Sequence, residues 1–183
     1  MSKRIALLTA AAFGVLALTS AIVAPASAQG EKTVMVGGAA MFPSKNIIQN
    51  AVNSKDHTTL VAAVKAAGLV ETLEGKGSFT VFAPTNAAFG KLPAGTVDNL
   101  VKPENKATLT KILTYHVVPG KLEASDLTDG KKLKTVEGED LTVKRSGDSV
   151  TIVDAKGDSS TVTISNVNQS NGVIHVIDTV LMP

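Results

Sequence analysis

Residues 77–89, GSFTVFAPTNAAF, and residues 171–183, NGVIHVIDTVLMP, decide how this chain is read. In the first, Phe79 to Ala83 is a strand run that Pro84-Thr85 brings to an end. Proline cannot donate to a sheet ladder, and threonine can cap the turn of helix that carries Ala87, Ala88 and Phe89 onto the core. In the second, Asn171-Gly172 is a tight-turn dipeptide opening a run that is apolar at successive positions. A strand that hides both faces belongs in the middle of a fold.

Outward from these two stretches, the first half of the chain reads as helices. Ser44 can cap a short helix bearing Ile47, Ile48, Ala51 and Val52. Asp56 to Thr58 start a second, with a buried stripe of Leu60, Val64 and Ala67 and a stop at Gly68. Leu69 to Glu74 continues as a short helical piece, and Gly75 and Gly77 break it. Pro103 fits a first helical turn, and the stretch after it places Leu109, Ile112 and Leu113 on one face before delivering Tyr115 and His116 into a strand, His116 to Val118.

Beyond Gly120 the period changes to two. Leu141 and Val143 alternate with Thr142 and Lys144, Val150 and Ile152 flank Thr151, and Val162 and Ile164 alternate with Thr161 and Thr163. Polar, Gly-containing turns at residues 137–140, 146–148 and 154–158 separate these runs, which predicts an antiparallel meander. Helices crowding one half and strands the other predict an α+β domain.

Residues 1–28 have the marks of a secretory signal peptide: basic Lys3 and Arg4, an apolar run from Ile5 to Val23, and Ala26-Ser27-Ala28 as a small-residue cleavage site. Residues 29–43 are Gly- and Ala-rich and read as a loose, flexible leader. The domain proper is then 44–183. Without the signal peptide's two cations the net charge of +2 falls to about zero, so the sequence pI of 8.8 leaves no electrostatic footprint for nucleic acid. The chain has no cysteine, hence no disulfide framework, thiolate nucleophile or lipid attachment site, and its core must hold unaided. About 150 residues suffice for one self-sufficient domain.

The two terminal stretches, the LVAAVKAAGLVETLEGKG that leads into the first, and the Tyr115-His116 pair resemble, in this order, the signature of the fasciclin (FAS1) domain. The resemblance runs from about Asn46 to the last residue. It implies a β-sheet wedge with helices packed against it and a secreted, single-domain bacterial protein that works in adhesion or protein interaction and not in catalysis. It also implies a partner contact at Tyr115-His116, with Ile112, Leu113, Val117 and Val118 as aliphatic flanks. The family's second contact element, an Asp-Ile pair, falls on Asn166-Val167, where the carboxylate is replaced by an amide. The other signature positions, Thr80, Phe82, Pro84, Thr85 and Phe89 in the first stretch and Asn171, Gly172, His175 and Asp178 in the second, are expected to be mainly structural.

The residues themselves offer a plainer reading of the same candidates. A tyrosine and a histidine at a helix-to-strand junction commonly fix the corner through backbone hydrogen bonds. His175, between Val173 and Ile177, is of the type found satisfied in cores, and His57, near a helix start, is expected to be solvated. No G-x-S-x-G elbow, H-E-x-x-H, P-loop or dinucleotide fingerprint is present, and no cofactor or metal is implied. With no tryptophan and one tyrosine the chain lacks stacking platforms for sugars or single-stranded nucleic acid. A cell-surface or matrix protein or polymer is therefore the expected partner, with weak self-association open. An exported carrier of a small apolar ligand and a hydrolase assembled from His116 or His175 are the alternatives of other classes.

Overall fold

The structure is a computed structural model and describes residues 32–75 and 77–183; the signal peptide reading and Lys76 lie outside them. Strand β1 (Val34–Val36) and β2 (Ala39–Met41) form a hairpin. Helices α1 (Ile47–Ala51), α2 (Thr58–Ala67) and α3 (Val70–Glu74) follow. Strand β3 (Phe79–Pro84) leads into α4 (Asn86–Gly90), α5 (Thr96–Leu100) and α6 (Lys106–Tyr115). Six strands complete the chain: β4 (Val117–Pro119), β5 (Lys132–Lys134), β6 (Asp140–Ser146), β7 (Ser149–Val153), β8 (Ser159–Gln169) and β9 (Gly172–Ile177).

The main sheet has the order β4-β3-β9-β8-β7-β6-β5. Its two signature strands, β3 and β9, pair in parallel from Phe79↔Gly172 to Pro84↔Ile177, while the other neighbours are antiparallel. The expected meander is β6–β7–β8. At the far ends the sheet curls until the Val136 amide donates to the Val117 carbonyl at 2.8 Å, so the β4 edge meets the segment that follows β5.

This curling creates two cores, and the central strands serve both. Alternate residues of β3 and β9, Val81, Ala83, Ile174 and Val176, pack under the helices against Leu60, Val64, Leu109, Ile112 and Leu113. The intervening Phe82 and Ile177 face the inside of the curl with Leu127, Leu133, Leu141, Val143, Val150 and Ile152. A strand between two apolar layers has no solvent face, which is why β9 is buried at every position.

The helix starts follow local chemistry, with one correction. Asn46, not Ser44, caps α1: its side chain accepts from the Gln49 amide at 2.8 Å and Gln49 returns a bond to the Asn46 amide at 3.1 Å. Val52 consequently falls beyond the helix and is exposed. Gly68 ends α2 in the left-handed conformation, as expected. Thr85 caps α4 through the Ala88 amide, and Ala88 and Phe89 are buried while Ala87 is exposed.

Two further corrections concern strands. Residues 34–41, read as part of a loose leader, form the β1–β2 hairpin, with Val36 and Met41 in the helical core. His116 ends α6 as its C-cap, and the strand begins one residue later at Val117.

Candidate functional site

Three of the singled-out side chains converge on one place, the outer loop between β4 and β5, and they reach it from the inside. Thr80 on β3 donates its hydroxyl to the Gly120 carbonyl at 2.6 Å and accepts from the Leu122 amide at 2.8 Å. Nε2 of His175 on β9 lies 2.8 Å from the Leu122 carbonyl. Asn166 on β8 accepts from the Ala124 amide at 2.7 Å. Three side chains from three adjacent strands thus hold four backbone groups of residues 120–124. The exposed part of that loop includes Lys121, Ser125 and Asp126.

Asn166 can do this because it takes φ of +57°, a conformation asparagine tolerates, at an irregularity in the β8–β9 register between Ile164 and Val167. Its own amide points at Nδ1 of His175 at 3.4 Å. A carbonyl only accepts, so His175 carries its proton on Nε2 toward Leu122 and offers Nδ1 to Asn166. The ring also stacks on Phe82, centroids 5.7 Å apart. Burial pushes the imidazole pKa down, against the opposing pull of the Leu122 carbonyl and of Glu123.

Tyr115 and His116 make a second brace at the other end of the curl. Tyr115 is fully buried and its hydroxyl accepts from the Ala155 amide at 2.9 Å, tying α6 to the β7–β8 turn. His116 Nδ1 donates to the Ile112 carbonyl at 2.8 Å, and Nε2 accepts from the Leu181 amide at 3.0 Å. Burial holds its pKa down to about 4, although the Ile112 carbonyl and Asp154 pull the other way. Tyr115→Phe is expected to cost about 1 kcal/mol, read as a lower urea midpoint with unchanged slope, because it orphans the Ala155 amide without opening a cavity.

These positions correct the placement of the contact residues. Tyr115, His116 and Val167 are core residues at 0%, 2% and 1% exposure, and Asn166 is half-buried with its side-chain oxygen committed. A partner meets none of the first three without opening the domain. The plainer reading of the Tyr-His corner is the one the geometry supports.

The remaining signature residues are ties as well. Asn171 accepts from the Ile47 amide at 3.1 Å and donates to the Leu73 carbonyl at 2.6 Å, joining α1 and α3 to the start of β9. Gly172 lies directly against the Phe79 backbone. Asp178 accepts from the Thr161 amide at 2.9 Å and pairs with Lys91 at 3.7 Å. Partial burial acts to raise its carboxyl, but the Thr161 amide, the Thr179 and Ser160 hydroxyls and Lys91 outweigh that and hold it below the usual carboxylate value.

His57, expected in solvent, is 3% exposed; the 3₁₀ turn Lys55–His57 rotates its ring inward, where Nδ1 meets Ser54 Oγ at 2.9 Å. Asn50 and Asp154 were also missed. Buried Asn50 exchanges bonds with the Phe42 backbone at 2.8 and 3.0 Å and bonds Gln169. Buried Asp154 accepts from the Lys156, Asp158 and Met182 amides at 2.9 to 3.1 Å. The D-x-x-G pattern at residues 154–157 was a turn signal that pointed to the second.

Chemically, the arrangement is a set of braces. Both ring nitrogens of His116 and of His175 are engaged with backbone groups, so neither has a lone pair left to serve as a base toward a substrate. Among the described residues no group of three or more His, Cys, Asp or Glu is placed to hold a metal ion, and no helix is long and apolar enough to cross a membrane. The apolar cavities between helices and sheet measure ≈ 20 and ≈ 30 Å³, about the space of one water molecule and far below a ligand pocket of several hundred Å³.

Known proteins share this architecture and sequence. Residues 55–183 match the family model of the Fasciclin domain. The chain is 50% identical over 153 residues to protein sll1483 of Synechocystis, covering 84% of this chain and 82% of that protein. It is 41% identical over 138 residues to immunogenic protein MPB70 of Mycobacterium bovis, covering 73% and 66%, and 40% identical over 153 residues to cell surface glycolipoprotein MPB83 of the same species, covering 81% and 64%. A FAS1 domain pair from the insect cell adhesion molecule Fasciclin I superposes with a TM-score of 0.69 at 18% identity, over 78% of this chain and 52% of that one. The chain belongs to the fasciclin (FAS1) domain family.

Proposed function

We propose that this chain is an exported, non-catalytic binding module that attaches to a protein or polymer of a cell surface or matrix. The family, and relatives that include a cell surface glycolipoprotein, support the surface role. The observation that carries the mechanism is the bracing of residues 120–124 by Thr80, His175 and Asn166. Buried polar networks that are fully satisfied rigidify what they hold, and a pre-ordered loop loses little entropy on binding. The contact is therefore assigned to the outer surface of the loop, Lys121 to Asp126, and not to the signature side chains beneath it. The small cavities between helices and sheet, ≈ 20 and ≈ 30 Å³, count against the carrier alternative.

The test is saturable binding of the purified protein to intact source cells and to extracellular matrix. The triple variant Lys121→Ala, Glu123→Ala, Ser125→Ala changes only surface groups of the loop and is expected to bind at least about tenfold more weakly with its urea midpoint retained. Undiminished binding by that variant would move the contact elsewhere, and no saturable binding to any surface would remove the adhesion reading.

A further inference from the structure

The β1–β2 hairpin precedes residue 55, where the family match begins, and is fastened to the domain around His57. The Lys55 amide donates to the Gly37 carbonyl at 3.3 Å. Gly37 sits so close to Ser54 that a Cβ there would collide with the Ser54 hydroxyl. That hydroxyl bonds Nδ1 of His57, and both residues are buried. Nε2 of the same ring has no hydrogen-bond partner. The ring forms part of the wall of the apolar cavity of ≈ 20 Å³, together with Val36 and Met41 of the hairpin and with Leu60, Ala83 and Ile174.

We propose that Ser54 and His57 form an acid-sensitive latch: protonation of His57 frees residues 34–41, with Val36 and Met41, from the domain while the rest of both cores stays folded. An imidazolium has two donors and accepts nothing. One can still be given to Ser54 Oγ; the other has no bond in place and only the Ala83 backbone near it, and the charge stays buried against an apolar wall. The facing elements offer no counter-charge, since β1, β2, α1, β3 and β8 contain no ionisable side chain. On β9 the ionisable residue is His175, which belongs to the opposite face from Ile174, and on α2 it is Lys65, which is exposed. The charges close by are those of the ring's own turn, Lys55 and Asp56, of which Asp56 favours protonation. Burial is the largest influence and pushes the ring's pKa down, against the pull of the Ala83 backbone and of Asp56.

The hairpin yields before α2 does. Its strands pair only with each other, whereas α2 is packed against α6 in the helical core. The Asn50 clamp on Phe42 lies just beyond the hairpin and marks where the released segment would pivot. Release uncovers the faces of Ile47, Leu60, Val81 and Val167 that Val36 and Met41 now cover.

Amide hydrogen exchange of the full chain, corrected for intrinsic rates, tests this at about pH 7 and about pH 5. Protection of residues 34–41 is expected to be lower than that of β9 and to fall about tenfold on acidification. In His57→Gln the acid dependence of the hairpin disappears, while that of β9 persists because His116 and His175 remain. A second measurement stands if the variant does not fold: in the wild-type chain the ring resonances of His57 and the hairpin amides should titrate with a common midpoint. The latch is overturned if the hairpin exchanges only together with β9, if its acid dependence survives in His57→Gln, or if the ring titrates without any change in the hairpin.

Discussion

Gly172→Ala is expected to destabilise the domain by about 3 kcal/mol, the upper end of what overpacking costs and a large share of the 5–15 kcal/mol that holds a typical domain. The parallel pairing of β3 and β9 begins at Phe79↔Gly172, and the Phe79 amide donates to the Asn171 carbonyl at 3.1 Å. A Cβ on residue 172 would lie on the Phe79 carbonyl oxygen itself, a backbone atom that cannot swing aside as a side chain would. Relief requires parting the two central strands, and with them both cores and the Asn171 tie to α1 and α3. Urea unfolding should show a large drop in midpoint, and circular dichroism should show whether β9 still pairs. A midpoint within experimental error of wild type would mean that the two strands approach less closely than described.

Acidification is expected to remove about 3 kcal/mol through His116 alone. The folded state holds this ring neutral, with its pKa down to about 4, whereas an unfolded chain protonates it near 6.5. Between those values the unfolded state binds the proton and the folded state does not. The stabilisation is thus complete above about pH 6.5 and declines as the pH falls toward 4. His57 and His175 are lowered by burial and act with the same sign. Asp178, also lowered, adds a smaller loss at still lower pH, where its carboxylate becomes protonated. Urea midpoints at about pH 7.5 and 4.5 check the sum; a stability that is flat across this range would place the histidines in solvent.

Much of the fold was legible because it rests on local rules. The strand-Pro-Thr-helix passage at Phe79–Phe89, the Gly68 stop and the period-two runs of β6 and β7 are set by proline, glycine and alternation, and each stands as read. The both-faces-apolar run of β9 correctly announced a central strand, although its parallel partnership with β3 lies in no local pattern. The hairpin carried a signal, Gly37-Gly38 between short apolar runs, but its small residues resembled a leader. Strand β5 is three residues long and α5 is five, with no fully buried residue, so neither has the periodicity by which elements are recognised.

The candidate site was legible in its residues and not in their roles. Tyr115, His116 and His175 were read as polar groups in apolar company and Asn166 as the counterpart of a contact carboxylate, but what each does depends on a backbone group 4 to 65 positions away. The convergence of Thr80, Asn166 and His175 on residues 120–124 arises from strand order and from the irregular β8–β9 register, neither of which is written in spacing. The solvated reading of His57 failed for a similar reason: a single 3₁₀ turn reverses the side from which a helix-start residue is seen.

The signature histidines are neutral internal braces with fixed tautomers. Nitrogen-detected NMR of the imidazole rings across a pH titration addresses this most directly. The predicted result is His116 protonated on Nδ1 and His175 on Nε2, with His116 uncharged until about pH 4 and His175 titrating below the ordinary histidine value. Two rings that exchange tautomers freely and titrate together near 6.5 would contradict it, and would return the Tyr-His corner to the surface as a place where a partner could bind.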